Sequence, residues 1–455
     1  EERLKWEDDN DCNKKFEDWI LKNKISTKKK IQSIKEEISS YVKDEKKLAW
    51  DHYQRPIKDS KKDLIQTINK LERPVNSDEL NEMFSSFDDS NFSELIEICR
   101  RLIYKLDSSD LNDRNSLINW KNKYMDILTN KYSTDLYSIS IDSLSSIPNV
   151  LPMYSDEEKF VDGRIIIRDN FDKLLENNSK IFIFGEDVGK IGDVNQGLEG
   201  LQKKHGKNRV FDTSIRESTI VGQGIGMSMR GLRPIAEIQY LDYILYALQI
   251  LSDDLGTLTY RTHGGQKAPL IVRTRGHRLE GIWHSGSPLG GMISFLRGVF
   301  ILTPRNMTKA AGFYNSLLDI DQPAVVIEPL NGYRTKEQLP SNYGQFKTPI
   351  GEIEILKEGT DITLVSYGST FNIVINVAEE IEKYGISCEV IDVQSLIPFD
   401  IKKEISKSVI KTNRLLIIDE DLPGGCSSYI LQELLEKQDI YEHLDSKPSL
   451  LTAKD

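Results

Sequence analysis

Residues 213–240 read TSIRESTIVGQGIGMSMRGLRPIAEIQY, an apolar run threaded with glycines that leads into a second apolar run. Ser214 and Glu217 have the spacing of a capping box, in which each side chain satisfies a free backbone N–H at the start of a helix. A carboxylate in the first turn also suits the helix dipole. The closing PIAEIQY is short and apolar, as in a buried strand. The stretch therefore predicts a helix that leads directly into a strand.

The same alternation of short apolar strands and helices continues on both sides of this stretch. Strands are predicted at KIFIFGEDVG (180–189), APLIVRTRG (268–276), GVFILTP (298–304) and PAVVIEP (323–329). A second series opens after Thr348, with strands at DITLVSYGS (361–369), CEVIDVQSL (388–396) and RLLIIDED (414–421). Such alternation indicates a mostly parallel sheet covered on both faces. We expect two consecutive α/β domains, residues 155–346 and 347–455.

The beginning of the chain has a different composition. All 29 glycines lie at Gly163 or beyond it. Runs such as KKKIQSIKEEISSYVKDEKKLAW carry apolar residues every three or four positions, as amphipathic helices do. Pro56, Pro74 and the SIPNVLP segment around Pro148 are expected to punctuate these helices. We expect a helical region with a linker over residues 1–150.

Composition and charge exclude several classes of protein. The 455 residues are 38% hydrophobic and 29% charged, which is typical of globular domains with a sizeable core. A formal net charge of −11 argues against nucleic acid as the main partner, because phosphate binding needs a basic surface. No apolar segment approaches the roughly 18 residues of a membrane span. The four cysteines form no C-x-x-C pair. We expect a cytoplasmic protein with reduced thiols that binds neither nucleic acid nor membranes.

The glycines of the opening stretch are not arranged as a nucleotide site. Neither α/β series contains a G-x-G-x-x-G or Walker A pattern in the strand–turn–helix setting of a phosphate cradle. Gly222, Gly224 and Gly226 lie too deep in the predicted helix for that role. We expect them to permit close packing of the helix.

Several segments of the chain, in order, resemble one family. They are GEDVG (185–189), RESTIVGQGIGMSMRGLRPIAEIQYLDY (216–243), WHS (283–285), VFILTPRN (299–306), DITLVSYGS (361–369) and VIDVQSLIPFD (390–400). From about Val161 to the end, the chain resembles the beta subunit of thiamine diphosphate-dependent 2-oxo acid dehydrogenases, the decarboxylase component of the pyruvate and branched-chain complexes. The resemblance implies a transketolase-like pyrimidine-binding domain followed by a transketolase-like C-terminal domain. The helical region before them resembles the tail of the matching alpha subunit, as in bacterial proteins where both subunits are fused.

The resemblance implies roles for four residues. Glu217 matches the catalytic glutamate, which shares a proton with the aminopyrimidine ring of the cofactor; burial raises the pKa of such a carboxyl toward neutrality. Tyr243 matches the aromatic residue on which the aminopyrimidine stacks, and Ile215 adds an apolar wall. His284 matches the histidine that binds the substrate carboxylate or assists acyl transfer to a lipoyl group. From the residues alone, capping, core packing and polar surface remain the alternatives for the glutamate, tyrosine and histidine.

The loop RTRGHRLEGIWHSGSPLGG (273–291), which contains His284, follows a predicted strand, a common setting for function in α/β sheets. His277 is a second candidate in the same loop. The arginines of this loop either attract an anionic substrate or pair with Glu280; they are Arg273, Arg275 and Arg278.

In the family, the alpha subunit holds the cofactor's diphosphate and Mg²⁺ through a GDG motif and a later Asn. No GDG occurs in this chain, where Gly192-Asp193-Val194 is the nearest string. Mg²⁺ needs near-octahedral oxygen ligation shared with the phosphates, and no residue here is assigned to it. We therefore expect a piece of a longer protein, holding half of an active site that an alpha-subunit-type domain completes.

The resemblance also implies the reaction and the partners. We expect oxidative decarboxylation of a 2-oxo acid with transfer of the acyl group to a lipoyl domain, with a branched-chain acid preferred and pyruvate or 2-oxoglutarate open. A lipoyl acyltransferase component and a homo-oligomer are the expected partners. The acidic residues of the segment IIDEDLPGG (417–425) are expected either to help dock the acyltransferase or to form the solvated end of a strand. Transketolase-type ketol transfer, and a scaffold without activity of its own, are the alternatives.

Overall fold

The computed structural model describes the chain except residues 86, 88–90, 108, 140–143, 145–146, 277–283, 285–286 and 455, and the side chain at 79. It divides into two compact units, Glu1–Ser133 and Thr134–Asp455. Within the described part, no helix is both long and apolar enough to cross a bilayer.

The first unit is helical. Its helices are α1 Glu2–Asp9, α2 Cys12–Lys22, α3 Lys28–Ile68, α4 Ser77–Ser85, α5 Phe92–Lys105 and α6 Leu111–Ser133. The buried side chains of α5 recur every three or four residues and pack on α3 and α6, forming one core. This compact unit ends at Ser133, and the segment that follows, which lies in the predicted linker, belongs to the second unit. There the ring of Tyr137 lies 5.7 Å from that of Phe300.

Helix α3 runs through Pro56 without ending, although a proline removes one backbone hydrogen bond of a helix interior. The residues that follow it, Ile57, Leu64 and Ile68, are buried in the core of the unit. Burial of three large apolar side chains outweighs the loss of one hydrogen bond, since each contributes about 1.5–3 kcal/mol. The expectation that Pro56 punctuates the helices was wrong.

The second unit alternates strands with helices. The strands are β1 Phe160–Asp162, β2 Ile181–Gly185, β3 Val210–Asp212, β4 Arg233–Glu237, β5 Ile271–Arg275, β6 Phe300–Leu302, β7 Ala324–Glu328, β8 Lys336–Gln338, β9 Glu354–Lys357, β10 Ile362–Ser366, β11 Cys388–Asp392, β12 Ser395–Ile397, β13 Leu415–Ile418 and β14 Ser449–Leu451. The helices are α7 Gly163–Asn177, α8 Leu201–His205, α9 Glu217–Met229, α10 Leu258–Arg261, α11 Leu289–Phe295, α12 Met307–Leu317, α13 Thr370–Glu382, α14 Glu404–Thr412 and α15 Cys426–Gln432.

Two mostly parallel sheets organise this unit, which confirms the predicted α/β fold. The larger sheet has the order β12-β6-β7-β5-β4-β2-β3 and is parallel except for β12, which runs antiparallel to β6. The smaller sheet has the order β14-β13-β10-β11-β9, with only β9 antiparallel. The antiparallel β12 matters, because in the chain it lies between β11 and β13 of the smaller sheet and yet forms the edge of the larger one.

Successive residues of the central strands pack into different cores. On β4, Ile235 and Ala236 belong to separate apolar clusters, and Ile271 and Val272 on β5 divide in the same way. Side chains of a strand point alternately to its two faces, so the larger sheet is covered on both sides. The cluster that contains Ala236 also includes residues of β10, β11 and β13. One continuous core therefore joins the two sheets.

An ionic contact reinforces this junction. Arg305, just before α12, donates to Glu354 at 2.6 Å and to Asp392 at 2.7 Å, at the ends of β9 and β11. Asp392 is fully buried, and burial raises the pKa of its carboxyl from 3.8 to about 6 although Arg305 acts in the opposite direction. Between these two values the folded chain holds a proton that the unfolded chain has released.

We predict that the contribution of Asp392 to stability falls as pH rises through this window, since the folded state binds more protons than the unfolded state. Asp392→Asn does not titrate, so the stability advantage of the unchanged chain over this variant should shrink by about 2 kcal/mol between pH values of about 4 and 7. Urea unfolding at the two pH values measures the difference. Asp156→Asn, at an exposed position, is the matched control. Parallel pH profiles for Asp392→Asn and the unchanged chain would refute the prediction.

Candidate active site

The site is built around the first residue of α9. Helix α9 begins at Glu217, and its N-cap residue Arg216 makes no side-chain capping hydrogen bond. Ser214 is exposed and lies outside the helix, so the capping box does not form. The Glu217 side chain is half-buried. Within the described part of the chain its carboxylate accepts no hydrogen bond, which leaves it available to a ligand.

Two further carboxylates follow the end of β2. Burial raises the pKa of Glu186, and the neighbouring charges of Asp187 and Glu217 raise it further. Gln239 donates to Asp187 at 3.4 Å. We did not predict a role for Glu186, although GEDVG places it at the carboxyl end of a parallel strand, where ligands bind in α/β sheets. The site thus concentrates negative charge beside Glu217.

The segment after β4 brings an aromatic cluster to the same place. His284 stacks on Tyr240, with ring centroids 4.2 Å apart and an interplanar angle of 23°, and meets Tyr243 edge-on at 5.1 Å. Its Nδ1 atom lies 3.1 Å from Oδ2 of Asp242. The pKa of Tyr243 is raised by burial and then by nearby groups that include Asp242 and Glu217. The structure therefore brings together Glu217, Tyr243 and His284.

The other predicted residues of the site differ in their surroundings. Ile215 is 70% exposed and presents an apolar surface two residues before Glu217. The neighbours of His284 in the WHS turn, and the candidates His277 and Arg278, lie outside the described residues. The chain resumes in α11, where a Cβ on Gly290 would meet the Cα of Gly425 at 2.9 Å. This close approach of two backbones anchors the far end of the loop.

A cluster of buried charges lies at the carboxyl ends of β4, β5 and β7. Nε of Arg273 donates to Glu328 at 2.9 Å and Nη1 donates to Asp193 at 2.8 Å, while Nη1 also contacts Glu237. Nη2 donates to the hydroxyl of Tyr333 at 3.0 Å. All five side chains are fully buried. These contacts join three strands, and two of them, β4 and β5, lead along the chain into the segments that carry the site.

Arg275 belongs to the same cluster. Its Nη2 lies 2.8 Å from Glu237, but none of its three guanidinium nitrogens makes a hydrogen bond to the described residues. Burial raises the pKa of Glu237 to about 6, against the effect of both arginines. Of the two alternatives for Arg273 and Arg275, their full burial favours pairing with a carboxylate over attraction of a substrate, and the paired glutamates are Glu328 and Glu237. Their partners come from strands and a loop distant in the chain.

Two smaller expectations also need correction. Asp419 and Asp421 of the IIDEDLPGG segment are buried, with 4% and 6% exposure, so they neither form a solvated strand end nor offer charges for docking. Asp419 accepts hydrogen bonds from the Tyr367 hydroxyl and the backbone of Ser427. These contacts fix the turn that leads into α15.

The glycines of α9 have different surroundings from one another. A Cβ on Gly224 would meet the Leu270 side chain at 2.6 Å, as expected for close packing. At Gly222 and Gly226 nothing lies within 4 Å, and both residues are exposed. Packing inside the described unit therefore explains only Gly224.

Comparisons with known proteins agree with this fold. Residues 161–336 match the pyrimidine-binding domain of transketolase, and residues 351–455 match its C-terminal domain. Over 292 residues the chain is 32% identical to the pyruvate dehydrogenase E1 component subunit beta of Acholeplasma laidlawii, covering 64% of this chain and 88% of that protein. The chain belongs to the family of E1 beta subunits of 2-oxo acid dehydrogenases, which are oxidoreductases.

Other members of the E1 beta family are similarly close. The 2-oxoisovalerate dehydrogenase subunit beta of Bacillus subtilis (strain 168) is 32% identical over 253 residues, covering 55% of this chain and 76% of that protein. A solved structure titled "Split gene transketolase, inactive beta4 tetramer" has a TM-score of 0.52 at 20% identity, covering 64% of this chain and 89% of that chain. That likeness concerns the fold.

The residues present fit the pyrimidine half of thiamine diphosphate, the cofactor that the E1 beta family implies. Glu217 offers a carboxyl group at a helix start that makes no hydrogen bond to the described residues, Ile215 offers an exposed apolar side chain, and Tyr243 offers an aromatic ring close to Glu217. An aminopyrimidine is flat, partly apolar and carries ring nitrogens, so these groups complement it. Among the described residues, no group of three or more histidine, cysteine or acidic side chains is arranged to hold a metal ion.

The charge cluster generates a stability prediction. Arg273→Met should lower the free energy of unfolding by about 3–5 kcal/mol, because it leaves buried carboxylates without their hydrogen-bonded partner. Arg275→Met should cost clearly less, since the guanidinium that it removes makes no hydrogen bond to the described chain. Chemical denaturation followed by circular dichroism compares the two variants, which make the same substitution two residues apart. Equal losses of unfolding free energy in the two variants would contradict the conclusion that the hydrogen bonds of Arg273 hold the charge cluster together.

Proposed function

We propose that this chain supplies the pyrimidine-binding half of the active site for thiamine diphosphate-dependent oxidative decarboxylation of a 2-oxo acid. The observation that carries the proposal is the half-buried carboxylate of Glu217, without a hydrogen-bond partner in the described chain, beside Tyr243 and Glu186. In a capping residue, the carboxylate would instead accept a hydrogen bond from a backbone N–H group of the helix. Membership of the E1 beta family supports the same role.

When bound, thiamine diphosphate would supply the carbon nucleophile and the electron sink that decarboxylation of a 2-oxo acid needs. Glu217 would hold the aminopyrimidine through a proton shared between its carboxyl group and a ring nitrogen. Tyr243 would offer its ring for stacking and Ile215 an apolar contact, and both would help to exclude water from the bound ring. The raised pKa of Glu186 provides a neighbouring carboxyl that carries a proton at a higher pH than an ordinary glutamate does.

His284 acts at the reacting end of the site. Its imidazole is held between Tyr240, Tyr243 and Asp242, and its Nε2 atom makes no hydrogen bond to the residues that the structure describes. We propose that Nε2 binds the substrate carboxylate or moves a proton during transfer of the acyl group to a lipoyl group. Placement of the histidine on a loop after a parallel strand supports this role.

An alpha-subunit-type domain is proposed to hold the diphosphate and Mg²⁺, and a lipoyl acyltransferase component to accept the acyl group. The similarity to proteins named as E1 beta subunits supports both partners. The helical unit Glu1–Ser133 lies outside both transketolase domain matches, and we propose that it is the tail of a fused alpha subunit. The domain boundaries at residues 155–346 and 347–455 remain part of this proposal.

The proposed substrate is a branched-chain 2-oxo acid, as for the 2-oxoisovalerate dehydrogenase relative. Pyruvate is the second candidate, because the Acholeplasma laidlawii relative is equally similar at 32% identity. Carbon dioxide release from each acid, measured with an alpha-type partner added or withheld, decides between them. Ketol transfer between sugar phosphates under the same conditions would identify a transketolase instead.

We predict that Glu217→Gln lowers decarboxylation in the presence of the alpha-type partner by about 10²–10⁴-fold, because an amide cannot share the proton that the carboxyl holds. The fold should be unchanged, since the carboxylate makes no internal hydrogen bond to the described residues. Carbon dioxide release and circular dichroism measure the two properties. Glu199→Gln is the matched control, because that glutamate is 50% exposed and pairs with Arg164 at the surface. Near-normal turnover by Glu217→Gln would rule out the catalytic role.

We further propose that the second unit forms a homo-oligomer through the bare face of α9. Gly222 and Gly226 lie one turn apart on the exposed side of this helix, where the backbone is open to close approach. Leu245 and Tyr246, on the adjoining helix 241–247, are 55% and 71% exposed. A bare helix face beside exposed large apolar side chains is typical of a surface that another protein surface covers.

The double variant Gly222→Leu/Gly226→Leu is therefore predicted to lose self-association. Two leucines would hold the surfaces apart, whereas they favour the helix itself by about 0.5–1 kcal/mol each relative to glycine. Sedimentation velocity over a range of concentrations measures the association. Lys203→Leu, which adds the same side chain at an exposed position of α8, is the control. An oligomer of unchanged size and affinity in the double variant would place the interface elsewhere.

A further inference from the structure

Asp242 and His284 form a pair for which the proposed reaction so far gives no role to the aspartate. Nδ1 of His284 lies 3.1 Å from Oδ2 and 3.3 Å from Oδ1 of Asp242. The two side chains are 24% and 21% exposed, so the pair is largely shielded from water. We propose that Asp242 is a positioning residue, which fixes the tautomer and the ring orientation of His284 and so presents Nε2 to the reacting end of the site. This inference rests on the proposed role of His284.

The chemistry of a carboxylate determines the tautomer. An ionised carboxylate only accepts hydrogen bonds, so the Nδ1 atom that faces it must carry a proton. A neutral imidazole has a single N–H, and therefore Nε2 is left with its lone pair and acts as a base or acceptor. When Nε2 takes up a proton, the same carboxylate stabilises the imidazolium that forms. Carboxylate-bound histidines at reactive centres are oriented in the same way.

Two aromatic rings fix the plane of the imidazole. Tyr240 stacks on one face at 4.2 Å, and Tyr243 stands nearly perpendicular to the ring at 72°. Stacking alone permits the ring to flip, because both orientations keep the same plane. A flip would turn a C–H group toward Asp242 in place of the N–H group. The carboxylate therefore selects one of the two orientations that the tyrosines allow.

The three orienting groups come from one short piece of the chain that the core holds in place. Asp242 and Tyr243 lie in the helical turn 241–247 after β4, and Tyr240 directly precedes it. Leu241 and Ile244 from the same turn are buried, with 1% and 0% exposure. Because apolar anchors alternate with the groups that touch His284, the turn cannot rotate without exposing its core residues. A site built on such an anchored element holds its geometry more narrowly than a free loop does.

Asp242 differs from the other carboxylates of the site in this contact. Asp187 accepts a hydrogen bond from Gln239, and Glu186 carries a raised pKa beside Asp187 and Glu217. Among the described residues, Asp242 is the carboxylate within hydrogen-bond distance of the His284 ring. The site therefore separates two tasks, with Glu217 directed to the cofactor and Asp242 directed to the histidine.

The first test reads the tautomer directly in the chain itself. The protein contains six histidines, and two-bond ¹H–¹⁵N spectra of histidine-labelled chain distinguish the tautomers, with the His284 signals assigned by their loss in His284→Gln. About two pH units above the ordinary histidine pKa of about 6.5, we expect the Nδ1–H form in the unchanged chain. Asp242→Ala should shift the population toward Nε2–H and Asp242→Glu should restore Nδ1–H. The same tautomer in Asp242→Ala and the unchanged chain would overturn the proposal.

Asp253→Ala is the matched control for charge, because it removes a carboxylate from an exposed position of the neighbouring helical turn 250–255. It should leave the His284 signals where they are. A shift of the tautomer in this control equal to that in Asp242→Ala would mean that net charge, and not the contact, selects the tautomer, and would also overturn the proposal.

The second test measures turnover with the alpha-type partner and a lipoyl acceptor. We expect Asp242→Ala to lower kcat by about 10–100-fold, as for other residues that orient a reactive histidine, with a much smaller change in KM. In a His284→Ala background the same substitution should cause no further loss. Independent, additive losses would show that Asp242 acts apart from His284. If His284→Ala alone leaves turnover unchanged, the proposed role of the histidine fails, whereas the tautomer measurement still decides whether Asp242 orients the ring.

Discussion

The guanidinium of Arg273, buried among three carboxylates and a phenol, is the interaction on which the site depends. It joins the carboxyl ends of β4, β5 and β7 to the loop that carries Asp193. Water does not screen these charges, so a displaced strand end would leave a buried ion without its partner. After β4 the chain continues into the turn that carries Tyr243, and after β5 it continues toward His284. The positions of Tyr243 and His284 therefore follow from a charge arrangement that neither residue touches.

Much of the fold could be predicted because strand and helix patterns are local. The apolar runs that became β2, β4, β5 and β7 are short and buried on both faces, as parallel strands require. Contacts between distant segments could not be predicted in the same way. Arg273 and Glu328 are 55 residues apart, and nothing near either residue indicates the other. The sequence therefore left open whether the arginines attract a substrate or pair with a glutamate, and the partner considered there was the nearby Glu280.

The site shows the same division. Roles for Glu217 and Tyr243 were expected from the resemblance of their motifs to the family. The spacing of Ser214 and Glu217 also suggested a capping box, because a Ser and a Glu three residues apart do not specify where a helix begins. The structure starts α9 at Glu217 itself, which removes the carboxylate from that role. Glu186 and Asp242 received no role from the sequence, because both depend on side chains that the fold brings from other strands. Local patterns locate a site, whereas its orienting groups require the topology.

Strand β12 has a consequence for how the second unit can be divided. The chain leaves β11 in the smaller sheet and, within a few residues, pairs Ser395 with Leu302 at the edge of the larger sheet. A cut between the two sheets in the chain order would strip that edge and expose the backbone of β6 to pairing with other molecules. Joining the pyrimidine-binding domain of one relative to the C-terminal domain of another at the linker would therefore pair β6 of one protein with β12 of the other. An exchange that keeps the edge of β6 covered has to transfer β12 and β6 together, although the two strands lie in different domains of the chain.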